Sequence, residues 1–366
     1  MMKKRLGILT GGGDAPGLNA VIRAVVLTAH HDYGWDVVGI RQGYDGLLSP
    51  QTPVMALPPE LVRPLLGRGG TILGAVNRGN PFVRIVEKPD GSSEQIDVTH
   101  EAYARLLELN LHALIVAGGD GTMAIGQQLI DMGAHIVAVP KTIDNDLAHT
   151  DVTFGFDTAI LTATEALDKL QTTAESHHRV MVMEVMGRNS GWIALKTGVA
   201  GGADVILIPE IPFDLEAVCE HLRRTQTPER GYSLVVVAEG AAPIGGQQEY
   251  YIKGSGLMDG RLGGIGYSLG NSIAEKAGFD VRVLRLGHLQ RGGTPTPHDR
   301  WLASQFGVAA VHLAAREQWG YMVALHGNDI AAVPMRDAMK IKVVDVHGEL
   351  IHAARSLGIS FGEALT

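Results

Sequence analysis

The chain has 366 residues, which at roughly 150 residues per domain suggests two to three domains rather than one small module. Acidic residues outnumber basic ones by 39 to 31, and the net charge of -8 argues against nucleic acid or an anionic membrane as a partner. Apolar residues make up 45% and charged residues 19%, a balance typical of a globular protein and not of a disordered chain.

The chain contains no apolar run of about 18 residues, and the apolar run after its charged start is too short for a signal peptide. We therefore expect a cytoplasmic protein that binds small molecules. The single cysteine, Cys219, cannot form an internal disulfide and is expected to be a buried thiol in a helix. The 47 glycines are about twice the usual share, and they are clustered.

Short apolar runs that lead through a glycine loop into a helical pattern recur along the chain. In order, the strand, loop and helix segments are 6–10, 11–17 and 19–30, then 113–117, 118–122 and a helix to about 132, followed by a strand over 135–139. Buried strands that alternate with helices predict a parallel sheet with helical layers, the α/β class.

A second series of such units begins after residue 155. Its predicted elements are a helix over 157–175, a strand over 180–185, a helix after Gly191, a strand over 205–208, a helix over 215–224 and a strand over 234–238. Two α/β domains follow, and because no Pro- or Ser-rich linker separates them, chain crossovers are expected at the boundary. The polar segments 86–95 and 243–256 are expected to be surface hairpins or excursions.

The loop 11–17 places three consecutive glycines and a fourth before a helix start, where backbone N–H groups can meet a phosphate. It is not the dinucleotide fingerprint, because the third glycine of that motif would fall at Pro16, and no P-loop motif occurs. The second loop, 118–122, adds Asp120, a carboxylate suited to a magnesium ion on nucleotide phosphates. For either loop alone, a tight turn without a ligand is the alternative.

The segment 140–146 follows a strand and contains two carboxylates, an amide, a hydroxyl and Lys141. One carboxylate can accept a substrate proton and the other can help to hold metal, while the lysine meets phosphate. Phosphoryl-transfer enzymes use groups of these kinds, although a turn that caps the next helix is the alternative interpretation of this segment. The later segments 183–191 and 286–293 carry Arg and His beside glycines, which suits a second phosphate. His177 and His178 are interpreted as a solvated turn.

Together these motifs resemble the 6-phosphofructokinase family. The motifs are Gly-Gly-Asp-Ala-Pro-Gly at 12–17, Gly-Gly-Asp-Gly-Thr at 118–122, Pro-Lys-Thr-Ile-Asp-Asn-Asp at 140–146, Met-Gly-Arg at 186–188 and Gly-His-Leu-Gln-Arg-Gly-Gly at 287–293. The resemblance runs from residue 6 to about 312. It implies two Rossmann-like three-layer domains and transfer of the terminal phosphoryl group of ATP, with Mg2+, to the 1-hydroxyl of fructose 6-phosphate, a step of glycolysis. It also implies a donor domain of 1–156 plus about 288–340, and a sugar-phosphate domain of about 157–287 plus the C-terminal segment.

The resemblance also implies roles for individual residues. Asp144 would be the base, Asp146 would support it and the metal, Thr142 would orient the substrate, and Arg188 would stabilise the transferred group. The donor would meet Gly12, Gly13, Tyr44, Arg78, Gly119, Asp120, Gly121, Thr122 and Lys141, with Asp120 on the metal. The sugar phosphate would meet Thr142, Asp144, Arg179, Met186, Gly187, Arg188, Glu239, Arg282, His288 and Arg291.

In that family two arginines reach the sugar phosphate from a neighbouring subunit. The matching positions are Arg179 and Arg282, so a homodimer or homotetramer is implied. Arg78 stands one place later than the family's usual arginine. The first helix keeps Arg23 but has Leu27 where controlled bacterial relatives have a second arginine, which implies an impaired effector site.

The identity of the phosphoryl donor is given by two markers that disagree. Gly121 accompanies ATP in the family, whereas Lys141 is usual in enzymes that use pyrophosphate. ATP is favoured, because a side chain at residue 121 would obstruct a nucleotide while a lysine near phosphates suits either donor. A pyrophosphate enzyme and a catalytically silent nucleotide sensor are the alternatives. An NAD or lipid kinase would explain only the 118–122 loop.

Overall fold

The computed structural model describes residues 3–49, 54–76, 79–87, 92–253 and 260–363. The strands are β1 (Arg5–Thr10), β2 (Asp36–Ile40), β3 (Val54–Ala56), β4 (Val83–Glu87), β5 (Ser93–Asp97), β6 (Ala113–Gly118), β7 (Ile136–Pro140), β8 (Val180–Val185), β9 (Val205–Leu207), β10 (Ser233–Ala238), β11 (Tyr250–Ile252), β12 (Arg261–Leu262), β13 (Val281–Arg285), β14 (Tyr321–His326) and β15 (Asp329–Pro334). The helices are α1 (Leu18–Tyr33), α2 (Asp45–Leu48), α3 (Pro59–Val62), α4 (Thr99–Glu108), α5 (Asp120–Asp131), α6 (Phe156–His177), α7 (Trp192–Ala200), α8 (Leu215–Thr225), α9 (Ile265–Ala277), α10 (Pro297–Ala315), α11 (Met335–Ala338) and α12 (Glu349–Ser356).

The chain forms two compact units. Unit 1 comprises Met1–Thr142, Leu147–Gly155 and Arg291–Ile341, and unit 2 comprises Ile143–Asp146, Phe156–Gln290 and Lys342–Thr366. The chain therefore passes from one unit to the other repeatedly. The short segment 143–146 belongs to unit 2, whereas the predicted division keeps it with residues 1–156.

Unit 1 is built on a seven-stranded sheet with the order β15-β14-β7-β6-β1-β2-β3. Its five inner strands run parallel, and only the edge strands β3 and β15 are antiparallel to their neighbours. Leu6 and Ile8 of β1 pack in a core that includes Val25 of α1 and Phe306 of α10, whereas Leu9 packs in a second core with Leu129 of α5. Alternate residues of β1 thus pack against helices on opposite faces of the sheet.

Unit 2 is built on a parallel four-stranded sheet with the order β13-β8-β10-β9. Val182 of β8 and Val237 of β10 share a core with Leu222 of α8 and Ile273 of α9. Helices α6 and α7 pack on each other, α6 also packs on β8 and β10, and α7 packs on β9 and β10. Both faces of this sheet are therefore covered by helices, which explains the near-continuous apolar strand sequences.

The predicted α/β class with two mainly parallel sheets is confirmed. Of the excursions expected over 86–95 and 243–256, residues 88–91 and 254–256 lie outside the described residues. The first segment otherwise joins the antiparallel strands β4 and β5, and the second includes β11, which pairs with β12. Cys219 is buried in α8, as expected. No helix in the described part of the chain combines the length and apolar character that a membrane span requires.

Candidate active site

The three predicted loops lie side by side in unit 1. Strands β1, β6 and β7 are parallel neighbours, so their carboxyl ends meet at one edge of the sheet. The amide of Gly11, after β1, donates to the carbonyl of Ala117 at 2.9 Å. The amide of Lys141, after β7, donates to the carbonyl of Gly118 at 3.0 Å. The glycine loops and Lys141 thus form one edge cluster, called the glycine cluster below.

Two glycines of this cluster are required by packing. A Cβ atom at Gly11 would lie 2.5 Å from Cγ2 of Thr122, and one at Gly118 would lie 2.3 Å from the Cβ of the same threonine. Thr122 itself is buried. These glycines therefore allow the first turn of α5 to approach β1 and β6, and the threonine side chain packs between them.

Gly12 and Gly13, in contrast, lie next to the cationic side chains of Lys141 and Arg291. A Cβ atom at Gly12, whose φ is +70°, would lie 3.4 Å from Nζ of Lys141, and one at Gly13 would lie 2.5 Å from Nη1 of Arg291. Lys141 is only 3% exposed, and its Nζ donates to the carbonyl of Gly13 at 2.5 Å. Nη1 of Arg291 donates to the carbonyl of Asp14 at 3.2 Å. Two cationic side chains thus support the glycine loop, and their charge favours a phosphate there.

The start of α5 offers a carboxylate beside open space. Asp120 and Gly121 are exposed residues of the first helical turn. A Cβ atom at Gly121 would meet no atom within 4 Å. No group of three metal-ligating side chains occurs among the described residues. Asp120 therefore suits a magnesium ion that keeps water and phosphate ligands, since that ion needs only one or two protein carboxylates.

One of the residues assigned to the phosphoryl donor, Tyr44, has a buried side chain. Tyr44 lies in the core of unit 1, with its ring 5.7 Å from that of Phe82, and burial raises the pKa of its hydroxyl. A Cβ atom at Gly126 would lie 2.7 Å from that hydroxyl. Because its side chain is buried, Tyr44 could contact the phosphoryl donor only through its backbone. Arg78 lies outside the described residues.

In unit 2, the carboxyl ends of β8 and β10 carry the residues expected to bind sugar. The two strands are parallel neighbours in register, and the amide of Glu239 donates to the carbonyl of Val185 at 2.9 Å. Gly187 has a φ of +137°, and a Cβ atom there would lie 2.6 Å from the carbonyl of Ser190. Only glycine suits that turn, which brings Arg188 back beside Glu239.

Several carboxylates share this end of unit 2. The pKa of Glu239 is raised from 4.5 to about 7, because the side chain is buried and stands near the negative charges of Asp144 and Glu184. The positive charges of Arg285 and Arg188 oppose the shift. A group that titrates near neutral pH beside Asp144 is typical of a catalytic or binding site. This group of side chains is called the carboxylate cluster below.

Arg188 is hydrogen-bonded to residues of the segment that follows β10. Its Nη2 donates to the carbonyl of Gly260 at 2.9 Å, and its own carbonyl accepts from Nε2 of Gln248 at 3.0 Å. Met186, two residues earlier, is fixed by its amide, which donates to Oε1 of the buried Gln290 at 2.8 Å. The Met-Gly-Arg turn is therefore anchored at both ends.

The loop that carries Asp144 is also anchored on both sides. The carbonyl of Asp144 accepts from Oγ of Ser190 at 3.2 Å. Asn145 is buried with a left-handed φ of +51°, and its Oδ1 accepts from Nζ of Lys342 at 3.1 Å. The amide of Lys342 donates to the carbonyl of Asp146 at 2.7 Å. Sequence reasoning missed this lysine, because no local pattern ties it to a loop so far along the chain.

Glu184 lies within the predicted segment 183–191, but it was assigned no role from the sequence. It is 1% exposed on β8, lies 3.0 Å from Nε of Arg285, and accepts from the amides of Gly264 at 3.0 Å and Gly266 at 2.9 Å, at the start of α9. A glutamate inside the apolar strand Val-Met-Val-Met-Glu-Val is a usable signal, because a buried charge requires partners.

The two arginines expected to reach a neighbour lie at the other end of the same sheet. Arg179 directly precedes β8, and Arg282 lies at the start of β13, opposite Met181. Both guanidinium groups bind the carboxylate of Asp280, Arg179 through Nε at 2.7 Å. A six-residue strand spans roughly 20 Å, so these arginines are remote from Met186 of their own chain. His288 is exposed on the short 3-10 helix after β13, at the Met186 end.

Known proteins resemble this chain over nearly all of its length. A family model described as phosphofructokinase matches residues 5–314. An ATP-dependent 6-phosphofructokinase of Chloroflexus aggregans is 52% identical over 364 residues, covering 99% of each chain. A pyrophosphate–fructose 6-phosphate 1-phosphotransferase of Amycolatopsis methanolica is 50% identical over 339 residues, which are 91% of this chain and 94% of that protein. The structure of phosphofructokinase from Saccharomyces cerevisiae aligns with a TM-score of 0.75 at 32% identity, over 92% of this chain but 45% of that longer chain.

Proposed function

Because this chain belongs to the phosphofructokinase family, we propose that it transfers the terminal phosphoryl group of ATP to the 1-hydroxyl of fructose 6-phosphate. The products are ADP and fructose 1,6-bisphosphate, and the reaction is a step of glycolysis. The observation that carries this proposal is the pairing, in one chain, of a cation-supported glycine loop with a carboxylate cluster that contains Asp144. A cytoplasmic location stays a prediction from the sequence.

In the proposed reaction, Asp144 takes the proton of the 1-hydroxyl as that oxygen attacks the terminal phosphorus. The bond from this phosphorus to the bridging oxygen breaks, and the electron pair leaves with ADP. Asp146 supports the base, and Arg188 stabilises the negative charge on the phosphoryl group in transit. Thr142 orients the reactants, with its carbonyl held by Oγ1 of Thr153 at 2.7 Å.

The donor phosphates are assigned to the glycine cluster. Backbone amides of Gly12 and Gly13 bind them, together with the segment 119–122 and Lys141, whose ammonium group is already fixed beside the loop. Asp120 would hold Mg2+, which offsets phosphate charge when it is bound.

The sugar phosphate is assigned to unit 2 and to basic side chains. Met186, Gly187 and Glu239 would line the sugar, and a glutamate with a pKa of about 7 can exchange hydrogen bonds with hydroxyl groups in either protonation state. His288 and Arg291 would hold the 6-phosphate.

We assign Arg179 and Arg282 to the sugar phosphate of a neighbouring subunit in a homodimer or homotetramer. Their place at the opposite end of the four-stranded sheet from Met186 supports this assignment, because within one chain the length of β8 separates them from that site. The pair shares Asp280, which fixes both guanidinium groups at one surface.

Pyrophosphate is the second candidate donor. Lys141 and the similarity to the Amycolatopsis methanolica enzyme favour it. The open space at Gly121 favours ATP, because an aspartate there would place its side chain in that space. The deciding experiment supplies purified protein, fructose 6-phosphate and Mg2+ with either ATP or pyrophosphate, and measures fructose 1,6-bisphosphate. We expect product with ATP, and product with pyrophosphate alone would reverse the donor assignment.

A further inference from the structure

The C-terminal segment that starts at Lys342 lies beyond the part of the chain matched by the family model, which ends at residue 314. In unit 2 this segment contacts the short loop Ile143–Asp146, here called the catalytic loop. Three separate groups of Lys342 form hydrogen bonds. Its ammonium group donates to Oδ1 of Asn145, its amide donates to the carbonyl of Asp146, and its carbonyl accepts from Nε1 of Trp192 at 3.0 Å.

The catalytic loop needs an external support of this kind. Asn145 has a left-handed backbone, which is uncommon for a residue with a side chain and persists where surrounding contacts hold it. The residue is 4% exposed, so its amide oxygen requires a donor. The bonds from Lys342 reach both residues that follow Asp144, and they fix the direction in which the loop leaves the base.

The segment is itself fixed to the body of unit 2. The carboxylate of Glu210 accepts from the amide of Val344 at 2.8 Å and from the amide of Gly191 at 3.0 Å. Trp192, the first residue of α7, binds the carbonyl of Lys342 through its indole, and Nζ of the lysine lies 5.6 Å from the centre of the indole ring. Lys342 thus links the first residue of α7 to the catalytic loop.

We propose that Lys342 is a positioning residue for Asp144, acting through Asn145 and Asp146. This inference rests on the proposed phosphoryl transfer. The side chain does not need to touch either substrate, so its loss should slow the chemical step and leave substrate binding nearly intact. A charged donor bonded to a buried amide contributes enough that its removal should lower kcat by about ten- to a hundredfold.

The test compares Lys342→Met, Lys342→Arg and Lys340→Met. Methionine keeps the apolar stem but removes the donor, and arginine restores a donor. Lys340 is an exposed lysine two residues earlier, just before this segment, so its replacement controls for the loss of one positive charge nearby in the sequence. We expect Lys342→Met to lower kcat by about ten- to a hundredfold with both KM values within about threefold of wild type. Lys342→Arg should recover most of this loss, and Lys340→Met should match wild type.

Hydrogen exchange provides a readout that does not depend on the reaction. In Lys342→Met, amides of residues 142–149 should exchange faster while those of β8 and β10 keep their protection. Faster exchange throughout unit 2, an arginine variant as slow as the methionine variant, or an unchanged kcat would overturn the proposal. If wild type forms no fructose 1,6-bisphosphate with either donor, the proposed function fails, and the exchange data still decide whether Lys342 holds the loop.

Discussion

The glycine cluster of unit 1 and the carboxylate cluster of unit 2 use opposite kinds of chemistry. The first offers backbone amides and two cations bonded to carbonyl groups of its own loop, Lys141 and Arg291. The second buries Glu239 near the negative charges of Asp144 and Glu184, and burial together with those charges raises its pKa to about 7. A phosphate can be bound by backbone and fixed charge, whereas proton transfer requires a side chain whose protonation state can change.

The two clusters are sensitive to different kinds of substitution. In unit 1, an added side chain would disrupt the packing most, because a Cβ atom at Gly11 or Gly118 would overlap Thr122. In unit 2, a change of charge would disrupt the site most, because the pKa of Glu239 depends on the charges of Asp144, Glu184, Arg188 and Arg285.

The largest expected effect is the loss of the base. Asp144→Asn should lower kcat by about a hundredfold or more, because asparagine cannot accept the proton of the 1-hydroxyl. The KM for fructose 6-phosphate should change little. Steady-state kinetics with saturating ATP and Mg2+ measure both constants, and a variant with near-normal kcat would remove Asp144 from this role.

The next effect tests the subunit interface. Arg282→Ala should raise the KM for fructose 6-phosphate by about ten- to a hundredfold, because a charge-assisted contact to the sugar phosphate is lost. Oligomers mixed from Asp144→Asn and Arg282→Ala subunits should be more active than either parent, since some sites regain both groups. Mixed assemblies without recovery at limiting fructose 6-phosphate would place Arg282 outside a shared site.

Gly121→Asp tests the donor side. The open space at this position should let the variant fold with a Tm close to that of wild type. The added negative charge beside the phosphates should raise the KM for ATP by about tenfold or more. Gly121→Ala is the matched control, since it adds a methyl group without charge. An unchanged KM for ATP in the aspartate variant would contradict the placement of the nucleotide at α5.

Glu239→Gln has the smallest expected effect on the reaction and tests the electrostatics of unit 2. Its pKa is raised from 4.5 to about 7, so the wild type loses stability as the pH rises from about 4.5 to 7 and stays constant above that. Glutamine removes this loss. The variant should be more stable than wild type by roughly 3 kcal/mol at pH 8, with no such gain at pH 4.

Urea unfolding at the two pH values measures this difference. The same variant should bind fructose 6-phosphate more weakly above pH 7, where only the wild type carries an ionised acceptor at this position. Equal stability gains at pH 4 and pH 8 would show that the pKa of Glu239 is not raised in the folded protein.

Local pattern was sufficient to predict the strands, the glycine loops and the crowded 140–146 segment. Each is encoded in fewer than about twenty consecutive residues, where apolar periodicity and turn chemistry act directly. The burial of Tyr44 was not predicted, because its partners Phe82 and Gly126 are brought there only by the folded sheet. The bond from Lys342 to Asn145, 197 residues apart, has no local signal. The sharing of Asp280 by two arginines likewise depends on the pairing of β8 with β13.

The repeated passage of the chain between the two units has a consequence for synthesis on the ribosome. Strand β7 is complete at Pro140, but its parallel partner β14 begins only at Tyr321, and α10, which packs on α1, ends shortly before it. At a synthesis rate of about 5–20 residues per second, β7 is without its partner β14 for roughly ten to forty seconds. An exposed parallel strand edge is a site for mispairing during that interval. Nascent chains of unit 1 should therefore depend on chaperones more than the short-range order of its β1-α1-β2 segment suggests.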